Sequence, residues 1–374
     1  MREEEMNPGL DSAKKKKRFA VILIVVLCVV YVLCAVRPLS REIHFIPVWT
    51  IDAYKNTKND KLSERLSEAD ASAFEGAIAY KMGQTAGYFT RSGIILSSVT
   101  FPYKAVISQS CYSLYDTHSS RIPVYSPDGA KIAEIKQTGF PYFDGGRTFQ
   151  FLPGGSSFSR LSKDCSVEWT YEGFAPITAF SSSDNGVLVG FADGNLILFG
   201  PDGKKEFDFA PGGSDIPVIL GAGLSASGKY IASVSGQGGQ RFVLAEKRNG
   251  MASAVCHKTL EKETTKQVIV KFSRNEDYVY YSYAGGLGIV DCGTHKHSTI
   301  PIEGNILSIQ EDSDGTIFVL SRLGKNFTVS VVEPFDVYSG SFSFDAETAF
   351  MSVRDGSLFV GHDSKISRID IRHK

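Results

Sequence analysis

The segment Asp291–His297, Asp-Cys-Gly-Thr-His-Lys-His, sets one thiol and two imidazoles close together. Zinc accepts such S and N donors, but a structural site normally needs a fourth ligand. No second Cys/His cluster supplies one, so Cys292, His295 and His297 are candidate metal ligands set against a simpler reading. In that reading Gly293 and Thr294 turn the chain, and the two histidines start an outer strand on one face. Glu311–Gly315, Glu-Asp-Ser-Asp-Gly, resembles part of a calcium loop without the longer run of oxygen ligands and the closing bidentate glutamate. Asn326-Phe-Thr is a glycosylation sequon that has meaning only in a eukaryotic secretory pathway. Cys111, Cys165, Cys256 and Cys292 allow three complete pairings, with Cys256 and Cys292 able to approach across neighbouring repeats. Buried free thiols are the alternative. No Ser-His-Asp set, nucleophile elbow, P-loop or paired-carboxylate signature stands out, so no catalytic residue, cofactor-binding residue or cofactor is assigned.

The elements that would carry such residues show themselves first at two acidic corners. Pro127-Asp128-Gly129 and Pro201-Asp202-Gly203 each follow a hydrophobic strand and precede a lysine-bearing one, and Asp128 and Asp202 lie 74 residues apart, two steps of 37. Proline presets one backbone angle and glycine supplies a positive one, so both corners suit tight reversals with no ligand. A second family of corners, each followed by an apolar or aromatic strand, falls at Gly146, Gly186, Gly228, Asp277, Gly315 and Gly356, and the last five are spaced 42, 49, 38 and 41 residues. Pro102–Lys104 adds one more upstream, which makes seven corners. A period near 40 residues is that of a four-stranded propeller blade.

The 374 residues, 43% hydrophobic with a net charge of -1, can bury a large core and carry no basic field for nucleic acid. The 36 glycines, 25 phenylalanines and 16 tyrosines favour short strands joined by tight turns. The final repeat supplies three strands before the chain ends, so an N-terminal strand, placed within 77–94, is expected to close the ring and cover its edge.

The start of the chain differs in kind. Lys14, Lys15, Lys16, Lys17 and Arg18 precede Phe19–Val36, 18 residues without a charge. That run reads as an uncleaved transmembrane anchor with its basic flank inside the cell, in preference to a cleaved or lipidated signal. The organisation that follows is a basic cytoplasmic tail (1–18), an anchor (19–36), a tether (37–76) and a propeller (77–374). Within the tether, Leu62, Leu66, Ala69 and Ala73 form a helical stripe behind a cap at Asn59 or Asp60.

Cys165–Phe209 resembles the repeat of quinoprotein-type propellers, through Trp169, Pro176–Thr178, Gly190, Asp193–Leu196 and Asp202–Lys204. That family includes quinone-dependent dehydrogenases and the non-enzymatic propeller lipoprotein of outer-membrane protein assembly. The chain departs from it in lacking an adjacent cysteine pair. It also lacks the recurrent tryptophan that docks neighbouring blades, since Trp49 and Trp169 are its only two.

The expectation is an all-β, seven-bladed β-propeller preceded by a single N-terminal transmembrane helix. The helix would hold it in the inner membrane through residues 19–36, with the propeller in the periplasm or outside. The expected role is a non-enzymatic interaction platform with an envelope protein as partner and no nucleic acid. An envelope enzyme such as a quinoprotein-like dehydrogenase or lactonase, and a small-ligand sensor using the central channel, are the alternatives.

Overall fold

The computed structural model describes residues 8–34, 43–54, 74–248, 251–334 and 336–373. It divides into two compact units, residues 1–41 and 42–374. In the first, a helix spans Pro8–Cys34 and takes in the Lys14–Arg18 cluster. Among the described residues no helix is long and apolar enough to cross a membrane, which overturns the expected transmembrane helix at 19–36. The physical reason is length against charge. Asp11 and five successive cations occupy the first half of the helix, and the charge-free helical run that remains, Phe19–Cys34, reaches about 24 Å against the roughly 30 Å of a hydrocarbon core. The stripe expected at residues 59–73 lies outside the described residues.

The second unit is a propeller of eight sheets, not seven. Blades 2 to 7 are four-stranded antiparallel meanders over residues 104–135, 140–171, 177–209, 216–259, 270–301 and 305–345. Blade 8 holds Ala349–Arg354, Ser357–His362 and Lys365–His373 and takes its fourth, outer strand from Ile43–Asp52. The ring therefore closes with an N-terminal strand, but with residues 43–52 in place of 77–94. The register runs from Ile43 opposite His373 to Asp52 opposite Lys365.

Residues 77–94 instead begin blade 1, which holds Ile78–Met82, Thr85–Phe89 and Ile95–Thr100 among the described residues. These match the second, third and fourth strands of the other blades. Ser97 Oγ donates to Pro127 O in the third turn of blade 2 (2.8 Å), as Trp169 on the fourth strand of blade 3 donates to Pro201 O in the third turn of blade 4 (3.1 Å). The miscount of blades has a local cause. Pro102–Lys104 is the connection between blades 1 and 2, and the true first corner of blade 2 is Ser108–Cys111, closed by Ser108 Oγ accepting from Cys111 N (3.1 Å) with no glycine to mark it.

Second and third strands are sandwiched between neighbouring blades and so are apolar on both faces. Gly186–Phe191 and Leu196–Phe199 are buried throughout, whereas the outer strand Lys205–Phe209 is mostly exposed. Between blades 3 and 4, Phe149, Phe158, Phe199, Trp169 and Phe180 pack together, with Phe149 and Phe158 fully buried. Each such side chain removed from water contributes about 2–3 kcal/mol. The first corners are also tied to one another. Arg147 Nη1 reaches Asp184 (2.7 Å), Asn185 Nδ2 reaches Ala226 O (2.7 Å), Glu276 Oε2 accepts from Ser227 Oγ (2.6 Å), Glu311 Oε2 accepts from Arg274 N (2.7 Å), and Asp312 Oδ2 accepts from Gly356 N (3.1 Å).

Candidate interaction face and central cleft

In a meander that steps outward, every connection to the next inner strand leaves from the same side of the ring. Four successive connections on that side carry exposed apolar residues. Tyr103 is 69% exposed between blades 1 and 2, and Phe174, between blades 3 and 4, is fully exposed. Phe140 opens blade 3 at 36% and Ile216 opens blade 5 at 56%. Phe140 is held in place by Lys104, whose Nζ sits 4.4 Å from its ring centroid, and by an edge contact with Tyr115. An exposed Leu or Phe alone is ordinary; here one stands at each of four consecutive connections.

Inside the ring, a cleft of about 850 Å³ runs along the inner strands of blades 3 to 6. One wall is aromatic: Phe180 stands edge-on to Tyr142 (5.6 Å) and Phe151 (5.0 Å). The other is made by Gln267–Arg274, drawn close because Gly221 and Gly223 have no side chain where Val268 and Val270 pack. Gln267 Nε2 donates to Thr178 O at 2.7 Å and so spans from blade 6 to blade 4. Lys271 Nζ donates to Ile309 O at 3.2 Å, and burial pushes its pKa down, opposed by the Glu311 charge. Three donors on an ammonium leave it capacity toward the cleft. Arg147 has each of its three nitrogens engaged: Nε and Nη2 hold Ser182 Oγ (2.9 Å) and O (3.1 Å), Nη1 holds Asp184 (2.7 Å), and Asp144 Oδ2 accepts from Ser182 Oγ (2.6 Å). The cleft can thus take an apolar or aromatic body with one anionic or carbonyl group.

The sequence-derived candidates fall elsewhere. Cys292, His295 and His297 sit around the third turn of blade 6: Cys292 is buried, its thiol pushed up to about 12 by burial, and His295 is exposed in a left-handed conformation (φ 60°). His297 Nε2 meets Tyr281 Oη at 2.6 Å. Among the described residues no three His, Cys, Asp or Glu side chains gather to hold a metal. The oxygens of the 311–315 acidic run serve backbone instead, Asp312 toward Gly356 and Asp314 toward Thr316 N (2.9 Å). Asp128 and Asp202 do the same, accepting from Ala130 N (3.1 Å) and Lys204 N (3.2 Å). Ser126 donates to Asp128 and Lys204 to Asp202, which holds both carboxyls below the usual carboxylate range. The cleft residues were missed by sequence reasoning. The one available signal was a lysine interrupting the apolar run Val268–Phe272.

A family model described as "beta-propeller protein" matches residues 6–374. An uncharacterized protein of Treponema pallidum (strain Nichols) is 29% identical over 360 residues, 96% of this chain and 95% of that protein. Among solved structures, BamB from Moraxella catarrhalis is similar with a TM-score of 0.61 at 12% identity, over 87% of this chain and 100% of its own. The dihydro-heme d1 dehydrogenase NirN, solved in complex with DHE, gives 0.52 at 13% identity over 68% of this chain and 58% of NirN. Both share the fold, and they bear out the resemblance to quinoprotein-type repeat propellers.

Proposed function

The chain belongs to the beta-propeller protein family, and from that membership we propose that it is a non-enzymatic interaction platform of the cell envelope, outside the cytoplasm. The carrying observation is the exposed series Tyr103, Phe140, Phe174 and Ile216 at four successive blade connections. A protein surface that docks on it would bury about 2 kcal/mol worth of apolar contact per large side chain. The similarity to BamB and the resemblance to the propeller lipoprotein of outer-membrane protein assembly support an envelope protein as partner. A photo-cross-linking residue at position 174 is expected to capture a defined protein in intact cells. The same residue at position 355, on the opposite side, is expected not to capture it. Equal capture at both positions, or none at 174, would sink the reading.

A second reading, a small-ligand sensor, is favoured by the cleft beside Lys271. Its test is a metabolite screen by thermal shift, in which a hit must weaken on Lys271→Met.

A further inference from the structure

The third turns of blades 2, 3 and 4 are built alike, yet one breaks the rule of the other two. Gly129 (φ 89°) and Gly203 (φ 78°) take the left-handed position in blades 2 and 4, whereas in blade 3 that position is Cys165 (φ 63°). The remaining frame is retained. Ser162 donates to Asp164 as Ser126 does to Asp128, and Cys165 N closes the turn on Ser162 O at 2.9 Å. The left-handed region disfavours any side chain, and the other non-glycine residues found there among the described ones are Glu276, His295, Asp336, Asp355 and Asp363, all polar. Cys165 is instead buried, at the boundary with blade 2, in a cluster with Ile122, Val124, Ile135 and Leu161. Cys111 packs against that same cluster from the first corner of blade 2, with its Sγ 3.4 Å from Ser108 Oγ. After burial, the Cys111 thiol is the next cause that pushes Cys165 up, to about 11.

We propose that Cys111 and Cys165 are a modification site, a pair of thiols placed to form a disulfide that staples blade 2 to blade 3. Two thiols and the disulfide of a small-molecule oxidant such as oxidised glutathione give the protein disulfide and two molecules of reduced glutathione. Cys111 is half-buried and is the sulfur within reach of solvent, so it attacks first. One glutathione leaves with its sulfur reduced, and a mixed disulfide remains on Cys111. The Cys165 thiolate then attacks the Cys111 sulfur and expels the second glutathione, the two protons passing from the protein thiols to the leaving groups. Cys111, Cys165, Cys256 and Cys292 all stand as free thiols, and in the pair Cys256 and Cys292, at the boundary of blades 5 and 6, neither is among the causes that shift the other.

The full chain is to be incubated under native conditions with oxidised glutathione, its remaining thiols blocked, and its peptides mapped by mass spectrometry. The expected result is a linked Cys111–Cys165 peptide, absent from Cys111→Ser and Cys165→Gly, with a melting temperature raised on the order of 5 °C over the reduced chain. The reduced Cys165→Gly protein is expected to melt no lower than reduced wild type, because glycine is what the equivalent turns use. Glutathione retained on Cys111 alone, linkage of Cys111 to another cysteine, or no linkage would each overturn the proposal.

Discussion

Trp49 and Trp169 occupy the same place in different blades. Each stands on the outer strand of its blade and donates its indole N–H to a carbonyl in the third turn of the next, Trp49 to Arg91 O (3.2 Å) and Trp169 to Pro201 O (3.1 Å). Each ring also lies over the glycine of that turn, Gly93 or Gly203. The tryptophan docking that looked absent from a chain with two tryptophans is present at two blade boundaries, one of them the seam where the ring closes. Ser97 makes the corresponding bond at a third.

Trp169→Ala is expected to lower the unfolding free energy by about 3 kcal/mol, since it removes ring packing as well as the bond. Trp169→Phe keeps most of the area and loses only the donor, for about 1 kcal/mol. Denaturant titration checks the order of the two; similar losses would mean that the ring packs less than its position indicates.

A methyl-bearing residue at 203 meets two obstacles at once. Its φ is 78°, and an added Cβ would lie 2.6 Å from the Trp169 ring. Gly203→Val is therefore expected to destabilise by about 2 kcal/mol or more. Asp202→Asn still accepts from Lys204 N and is expected to leave both the melting temperature and partner capture nearly unchanged.

The closing strand sets where the chain can be shortened. A chain beginning at Glu42 keeps Ile43–Asp52 and is expected to melt like the full chain. One beginning at Ala53 leaves the Lys365–His373 edge uncovered and is expected to aggregate or to melt well below it. Trimming to residue 50, harmless if residues 77–94 closed the ring, is expected to be damaging. Scanning calorimetry of the three shortened chains distinguishes the cases.

His297 gives the fold a defined sensitivity to acid. Burial lowers its pKa from 6.5, with Lys258 acting in the same direction and Asp336 opposing, while Nε2 engages Tyr281 Oη. Below pH 6.5 the unfolded chain takes up a proton that the folded chain resists, so stability falls as the pH drops from 6.5 through the lower folded value. The melting temperature of His297→Gln is expected to fall less between pH 7 and pH 5 than that of wild type.

Much of the ring was legible because glycine and aspartate mark its turns. Gly146, Gly186, Gly228, Asp277, Gly315 and Gly356 all stand at first corners, and Asp128 and Asp202 at third turns two blades apart. The first corner of blade 2 was hidden because a serine hydroxyl, common in any loop, closes it, and blade 1 was lost because residues 77–94 read as a closing strand. Ile43–Asp52 reads as part of a tether with room for one short strand, because Pro47 interrupts it, and only its partner at the far end of the ring identifies it as the closing strand. The candidate face was illegible for a related reason. Tyr103, Phe140, Phe174 and Ile216 share no local pattern and come together only when the connections are counted around a ring.

The seam between Ile43 and His373 joins residues made about 330 positions apart, so at ordinary rates of synthesis the first strand waits on the order of half a minute for its partner. Until Lys365–His373 emerges, Ile43–Asp52 is a ribbon with both edges bare, the form of chain that chaperones hold and proteases cut. A message broken before the codons for residues 365–373 yields a product that cannot hide that ribbon. The strand Lys365–His373 thus reports that the ring has been made in full, and a copy cut short of it leaves the first edge bare.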